Sequence, residues 1–313
     1  MRAVFLDRES LPVRFPQPTG VTSYHEYAHT DPVDVLDRLR NADVAILNKV
    51  KLDRDTLQQL PTLKMISITA TGFDCVDLDA CKQQGIAVTH VKNYATTSVP
   101  EHVFMLILAL RRNLMRVRTA VQKGAWPQSR QFCFFEGDIS DLRHQTLGLL
   151  GYGSLGQAIA QLGRAFGMRV LFHTPSRLGR DPECVSFDAL ITQSDMLSLH
   201  CPLNEHTRHI INAHTLKRMK PSSVLINTAR GGLIDEAALA SALLRGELAG
   251  AGLDVLSQEP PPADHPLLQL DLPQLIITPH IAWASQTAME TLATEASRNV
   301  EQWLMGQTHN RLV

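Results

Sequence analysis

Residues 147–160 read Leu-Gly-Leu-Leu-Gly-Tyr-Gly-Ser-Leu-Gly-Gln-Ala-Ile-Ala. A short apolar run enters three glycines, Gly151, Gly153 and Gly156. It leaves as a helical pattern with Ile159 and Leu162 on one face. The spacing is GxGxxG, and the strand before it and the helix after it make it specific. Gly151 permits a tight turn, Gly153 lets the backbone approach a pyrophosphate, and Gly156 allows the helix to lie close to the strand. Tyr152, Ser154 and Leu155 complete the turn, whose helix start offers N–H donors and a positive dipole end. The stretch reads as a dinucleotide-binding βα turn.

The same alternation extends in both directions. Downstream, short apolar strands are predicted at 170–172, 196–199, 224–227, 250–255 and 275–278. Upstream they fall at 3–6, 44–47, 64–69 and 86–89. Between the upstream strands lie short helices, one opened by Asp31-Pro32, one over 52–60, and one over 76–84 that Gly85 ends. One long helix is expected from Ser98 to Gly124 and a last one from Ser285 to Met305. Strands alternating with helices predict parallel βαβ units, an α/β fold.

The composition bounds the function. The chain has 313 residues, 44% of them hydrophobic, and 30 Lys+Arg against 31 Asp+Glu. That length suggests two domains with real cores. Balanced charge argues against a general nucleic-acid binder, which needs basic excess. No apolar run approaches the roughly 20 residues of a membrane span. The apolar stretch in MRAVFLDRES is too short for a signal peptide, so a cytoplasmic protein is expected. The five cysteines, Cys75, Cys81, Cys133, Cys184 and Cys201, form no CxxC pair and read as free thiols. His206, His209 and His214 lack metal-ligand spacing with further ligands, and no metal is expected. His102 reads as packing or surface, and His200 as a contributor of backbone only.

Two further regions carry chemistry. The strand after the glycine turn ends Phe172-His-Thr174-Pro-Ser176-Arg177. A carboxylate that would accept from a ribose 2′-OH is missing near Thr174, while Arg177 offers charge to a 2′-phosphate. NAD(P)H is the expected cofactor, with NADP(H) tolerated or preferred. Arg230, Glu259 and His280 each follow a predicted strand end, where open parallel sheets bind ligands. Reducing a 2-oxo acid needs a cation for the carboxylate, which Arg230 supplies in bidentate form. It also needs a proton donor, which His280 supplies while Glu259 orients its ring.

With GYGSLG, LHCPLNEHT, INTARGGLIDE, GLDVLSQEP and TPHIAW in order, the whole chain resembles the D-isomer-specific 2-hydroxyacid dehydrogenase family. ITATGFDCVDLDACKQQGIAV, NYATTSVPEHVFMLILAL and GAWPQSRQFC look most like its glycerate dehydrogenase/hydroxypyruvate reductase branch. The resemblance implies two Rossmann-like domains. A flavodoxin-like substrate domain would comprise residues 1–97 and 285–313, with a dinucleotide-binding domain, 98–284, inserted. It implies that Arg230, Glu259 and His280 are the substrate arginine, the supporting glutamate and the acid/base histidine. It further implies that Thr71 and Gly72 hold the substrate carboxylate, and that Asp254 holds the nicotinamide carboxamide. Ser98, Cys201, Pro202, Thr207, Thr228 and Ala229 would line the cofactor. The implied reaction is reduction of hydroxypyruvate or glyoxylate to D-glycerate or glycolate. Other 2-oxo acids such as pyruvate, and an NAD(H)-responsive binding module without turnover, are the alternatives. Family members are typically dimers through the nucleotide domain, and Trp126 with Phe132–Phe135 are the candidates for that interface, for reaching a neighbour's cleft, or for an ordinary packed loop.

Overall fold

The computed structural model describes all 313 residues. They form two compact units, Met1–Tyr94 with Ala284–Val313, and Ala95–Trp283.

The first unit is built on five parallel strands: β1 (Arg2–Phe5), β2 (Ser23–Glu26), β3 (Val44–Leu47), β4 (Met65–Ile68) and β5 (Ala87–Thr89). Their order is β2-β1-β3-β4-β5. β1, β3 and β4 are nearly continuous buried apolar runs, as a parallel sheet covered on both faces requires. β2, with the sequence SYHE, escapes the sequence analysis. It is an edge strand, half exposed, that pairs with β1 from Arg2↔Ser23 to Phe5↔Glu26. The helices are α1 (Val35–Leu39), α2 (Arg54–Gln58) and α3 (Leu78–Gln84). Asp53 and Asp77 cap α2 and α3 by accepting from Thr56 N and Ala80 N. Asp31-Pro32 opens a 3₁₀ turn, Pro32–Asp34, rather than α1 itself.

The second unit starts with α4 (Ser98–Arg111), α5 (Leu114–Gln122) and α6 (Ala125–Gln128). The single helix expected over Ser98–Gly124 is therefore two. Asn113 adopts a left-handed conformation, φ +51°, which breaks the helical ladder, and its side-chain amide donates to the Asp138 carbonyl. There follow β6 (Thr146–Leu150), α7 (Ser154–Ala165), β7 (Arg169–His173), α8 (Phe187–Gln193), β8 (Met196–Leu199) and α9 (Ala213–Arg218). β9 (Val224–Asn227), α10 (Glu236–Leu244), β10 (Gly250–Leu253) and β11 (Leu275–Ile277) complete it. The six strands are parallel, in the order β11-β10-β9-β8-β6-β7, so the topological switch point lies between β6 and β8. α4 lies on this sheet: a Cβ at Gly252 of β10 would come within 3.0 Å of Leu106.

α11 (Gln286–Leu304), capped by the Ser285 hydroxyl, returns to the first unit. Ser67 Oγ of β4 donates to its Ala296 carbonyl at 3.0 Å, and Asn299 Nδ2 donates to the His90 carbonyl. Leu292 and Val300 are fully buried, which contributes about 1.5–3 kcal/mol each. Both units are doubly wound α/β layers of the Rossmann type, the fold class the alternation implies. No helix is long and apolar enough to cross a membrane.

Candidate active site

The glycine turn sits at the switch point. Gly151 has φ +101° and a Cβ there would lie 2.6 Å from the His200 carbonyl carbon. A Cβ at Gly156 would lie 2.5 Å from the Gly151 carbonyl oxygen, whereas one at Gly153 would meet nothing within 4 Å. Two glycines thus close the turn and the third leaves open space in front of it. α7 begins at Ser154 with Gly153 as N-cap and no side chain capping its N–H groups. An open cradle at a helix N-terminus fits a pyrophosphate. His200 leaves β8 beside it. Its ring pairs with Ser198 Oγ at 2.7 Å, and burial pushes it down to about 3, so it stays neutral. Burial likewise pushes the Cys201 thiol up to about 11. Thr207 folds the following loop by donating to the Pro202 carbonyl and accepting from Asn204 N.

At the end of β7, Thr174 is extended and leads into a 3₁₀ turn, Pro175–Arg177, that holds Ser176. The exposed Arg177 guanidinium lies over the Tyr152 ring, 5.3 Å from its centroid. Tyr152 is stacked in turn on Phe172 at 3.8 Å. The arginine therefore stands between the glycine turn and the β7 end.

The other three loops leave adjacent strands at one level, since Leu253 pairs with both Asn227 and Ile277. After β9, the buried Asn227 side chain staples the turn through Thr228. It accepts from Ala229 N at 3.0 Å and donates to the Arg230 carbonyl at 2.9 Å. Gly231 follows, and its Cα approaches the next loop so closely that a Cβ would lie 1.9 Å from the Leu256 carbonyl carbon. This approach brings the Arg230 turn against the loop of Glu259. That loop is anchored from α10, where Glu236 accepts from Ser257 N at 2.7 Å and pairs with His265. Glu259 Oε1 accepts from Leu256 N at 3.1 Å.

After β11, Thr278 and Pro279 lead to His280, whose φ is +55°. Its Nδ1 lies 2.6 Å from Glu259 Oε2. A carboxylate only accepts, so Nδ1 carries the proton and Nε2 is left for a substrate. Asp254, 1% exposed, organises this loop. Its Oδ1 accepts from Thr278 Oγ1 (2.5 Å) and Ile281 N (3.0 Å), and its Oδ2 from Ala282 N (2.8 Å). A carboxylate offers about four acceptor positions, and three are taken here. A cavity of about 500 Å³ adjoins the pair, walled by Leu256, Pro260, Ile277 and His280.

In the first unit, Thr71 and Gly72 follow β4. Thr71 Oγ1 donates to the Val91 carbonyl and the Thr71 carbonyl pairs with His90 Nδ1, both at 2.8 Å. Asn48 and Lys49, after β3, donate their backbone N–H groups to the buried Asp7 carboxyl.

Sequence analysis singled out Arg230, Glu259 and His280 but passed over Asn227, Gly231, Glu236 and Thr278, which position them. The second glycine-containing turn, ARGG, was the available signal for Gly231. Ser98 is buried and donates to the Trp283 carbonyl at 3.2 Å. His102 is not a mere surface residue, since its Nε2 lies 3.0 Å from Thr278 Oγ1. The five cysteines are unpaired, and no cluster of three metal-ligating side chains forms.

Residues 104–282 match the NAD binding domain of D-isomer specific 2-hydroxyacid dehydrogenases. A glycerate dehydrogenase of Methylorubrum extorquens is 47% identical over 311 residues, covering 99% of this chain and 98% of its own. An acyclic imino acid reductase in complex with NADPH and D-Arg superposes with a TM-score of 0.84, at 28% identity over 100% of both chains. D-Lactate dehydrogenase from Aquifex aeolicus, complexed with NAD and lactic acid, gives 0.81 at 31% identity over 97% and 96% of the chains. With the matched region spanning more than half of its residues, the chain belongs to the D-isomer specific 2-hydroxyacid dehydrogenase family.

Proposed function

We propose that this dehydrogenase reduces hydroxypyruvate or glyoxylate to D-glycerate or glycolate, with NADPH as the favoured reductant. Reduction of a 2-oxo acid with a nicotinamide dinucleotide is the reaction of this family's 2-hydroxyacid dehydrogenases. The substrate choice follows the glycerate dehydrogenase likeness. When bound, the reduced nicotinamide supplies a hydride to C2 of the acid. The glycine cradle and Asp254 would hold it, with Ser98, Cys201, Thr207, Thr228 and Ala229 alongside.

The remaining work falls to side chains. His280 Nε2 gives a proton to the carbonyl oxygen, and Glu259, on Nδ1, holds the ring and favours its cationic form. Arg230 binds the carboxylate with two parallel N–H donors. The observation that carries this reading is the 2.6 Å contact of His280 Nδ1 with Glu259 Oε2. His280→Ala is expected to lower kcat by about 10²–10⁴-fold with dinucleotide affinity unchanged. Arg230→Lys should also lower kcat/KM, since an ammonium cannot bind a carboxylate bidentately. Wild-type rates in both would refute the assignment.

The missing acid at Thr174 and the presence of Arg177 support NADPH over NADH. We assign residues 1–97 with 285–313 to the substrate domain and 98–284 to the dinucleotide domain. The cytoplasm suits its five free thiols. Phe132 and Phe135, 88% and 81% exposed, and the half-exposed Trp126 support a homodimer through this segment.

A further inference from the structure

His280 is a left-handed, non-glycine residue at the centre of the proposed chemistry. That conformation is unfavourable for an L side chain and persists only where its surroundings impose it. The loop around it, Thr278–Trp283, is gripped from two sides. Asp254 grips it from β10: its carbonyl accepts from His280 N at 2.8 Å, and its carboxylate takes the Thr278 hydroxyl and the N–H groups of Ile281 and Ala282.

The second grip comes from the first two turns of α4. Ser98 Oγ donates to the Trp283 carbonyl at 3.2 Å, at one end of the loop. His102 Nε2 lies 3.0 Å from Thr278 Oγ1, at the other end. Four residues apart, the two side chains share one helix face. The direction of each bond follows from donor counting. The single Thr278 proton goes to Asp254, so the hydroxyl accepts from His102, which must carry its proton on Nε2. Desolvation pushes the His102 imidazole below its usual range, which keeps it neutral and suits a single N–H donor. Asp254 opposes that shift from 3.6 Å.

We propose that Ser98, His102 and Thr278 are positioning residues: α4 holds both ends of the His280 loop, and His102, through Thr278 and Asp254, fixes the strained backbone that sets the imidazole against Glu259. The proposal rests on His280 as the acid/base. None of the three side chains donates the reacting proton. Their effect is on where His280 stands, and displacements of about 1 Å at a reacting group cost about a hundredfold in rate.

The test pairs disruptive variants with conservative ones. Thr278→Val removes the hydroxyl at constant shape, and His102→Leu removes the donor. Thr278→Ser and His102→Gln put each back. The readouts are kcat and KM for hydroxypyruvate, the NADPH dissociation constant by fluorescence, and amide hydrogen exchange of residues 280–283. The expected result is a fall in kcat of about ten- to a hundredfold in the disruptive pair, recovery in the conservative pair, NADPH affinity unchanged and faster exchange in 280–283. Unchanged kcat, a loss that the conservative variants fail to restore, or a weakening of NADPH as large as the loss in kcat would each overturn the proposal. Should Thr278→Val not fold, Ser98→Ala leaves every Asp254 contact in place and is judged by kcat and by exchange of residues 280–283, since Ser98 also stands among the proposed cofactor contacts. His280→Ala separates the two ideas. If it stays active, the acid/base reading fails. If it is inactive while Thr278→Val and His102→Leu turn over normally, only the positioning role fails.

Discussion

If NADPH is the favoured reductant, as proposed, the preference should be reversible from one corner of the second unit. The double substitution Thr174→Asp with Arg177→Ala replaces a site with no acid and one guanidinium by a site with one carboxylate. Arg177 is exposed, so its contact with a 2′-phosphate lies between a surface ion pair and a charge-assisted hydrogen bond, about 1–2 kcal/mol. Its place over the Tyr152 ring, 5.3 Å from the centroid, holds the guanidinium before any phosphate arrives and adds no separate binding term. Removing it should therefore raise KM for NADPH by about 5- to 30-fold and leave NADH alone. Asp at 174, on extended backbone at the β7 end, would accept from the ribose 2′-OH for another 1–2 kcal/mol or so and repel the phosphate. Together the changes should shift the NADPH/NADH ratio of kcat/KM toward NADH by about a hundredfold or more. The assay follows absorbance of the reduced nicotinamide with saturating hydroxypyruvate. A wild-type preference for NADH above about tenfold, or a double variant within about threefold of the wild-type ratio, would show that these residues do not face the ribose.

Three further outcomes are expected. Glu259→Gln keeps an acceptor for His280 Nδ1 but removes the charge, and since both side chains are about a third exposed the loss should be modest. A drop in kcat of about 5- to 15-fold is expected, and a change under about twofold would deny Glu259 its supporting role. Gly231→Ala places a Cβ 1.9 Å from the Leu256 backbone, which cannot yield as a side-chain tip can. It should cost more than about 3 kcal/mol, seen as a lowered thermal midpoint, and an unchanged midpoint would contradict that close approach. Phe132→Ser with Phe135→Ser should turn a dimer into a monomer in sedimentation velocity. A dimer that survives both changes would place the interface elsewhere.

Much of this was legible in the chain because its signals are local. Gly151 and Gly156 stand where a Cβ would strike backbone, and a βα turn of that kind keeps its spacing. Arg230, Glu259 and His280 were singled out because parallel strands end in ligand-facing loops, a rule that needs only strand positions. β2 was hidden because an edge strand needs neither an apolar run nor alternation, and SYHE has neither. The break at Asn113 was hidden because the apolar spacing runs on past it. The supports of the site were the least legible. His102 and Thr278 are 176 residues apart, and neither looks unusual in its own segment. Only the fold of α4 onto β9 and β10 makes them neighbours.

That division between reacting groups and their supports bears on selectivity. In their proposed roles Arg230 and His280 would address the carboxylate and the carbonyl, which every 2-oxo acid has. They cannot tell hydroxypyruvate from pyruvate, so discrimination at C3 must come from other side chains. In the second unit the candidate is Trp283, whose indole N–H donates to the His280 carbonyl at 3.0 Å. Its backbone carbonyl accepts from Ser98, so the tryptophan and the histidine ride on one loop held by one helix. A change that shifts this loop must then alter rate and side-chain selectivity together. A change at a side chain that meets C3 from outside this loop should alter selectivity alone. The two kinds of variant can be told apart by whether kcat on glyoxylate, which has no C3, falls with kcat on hydroxypyruvate.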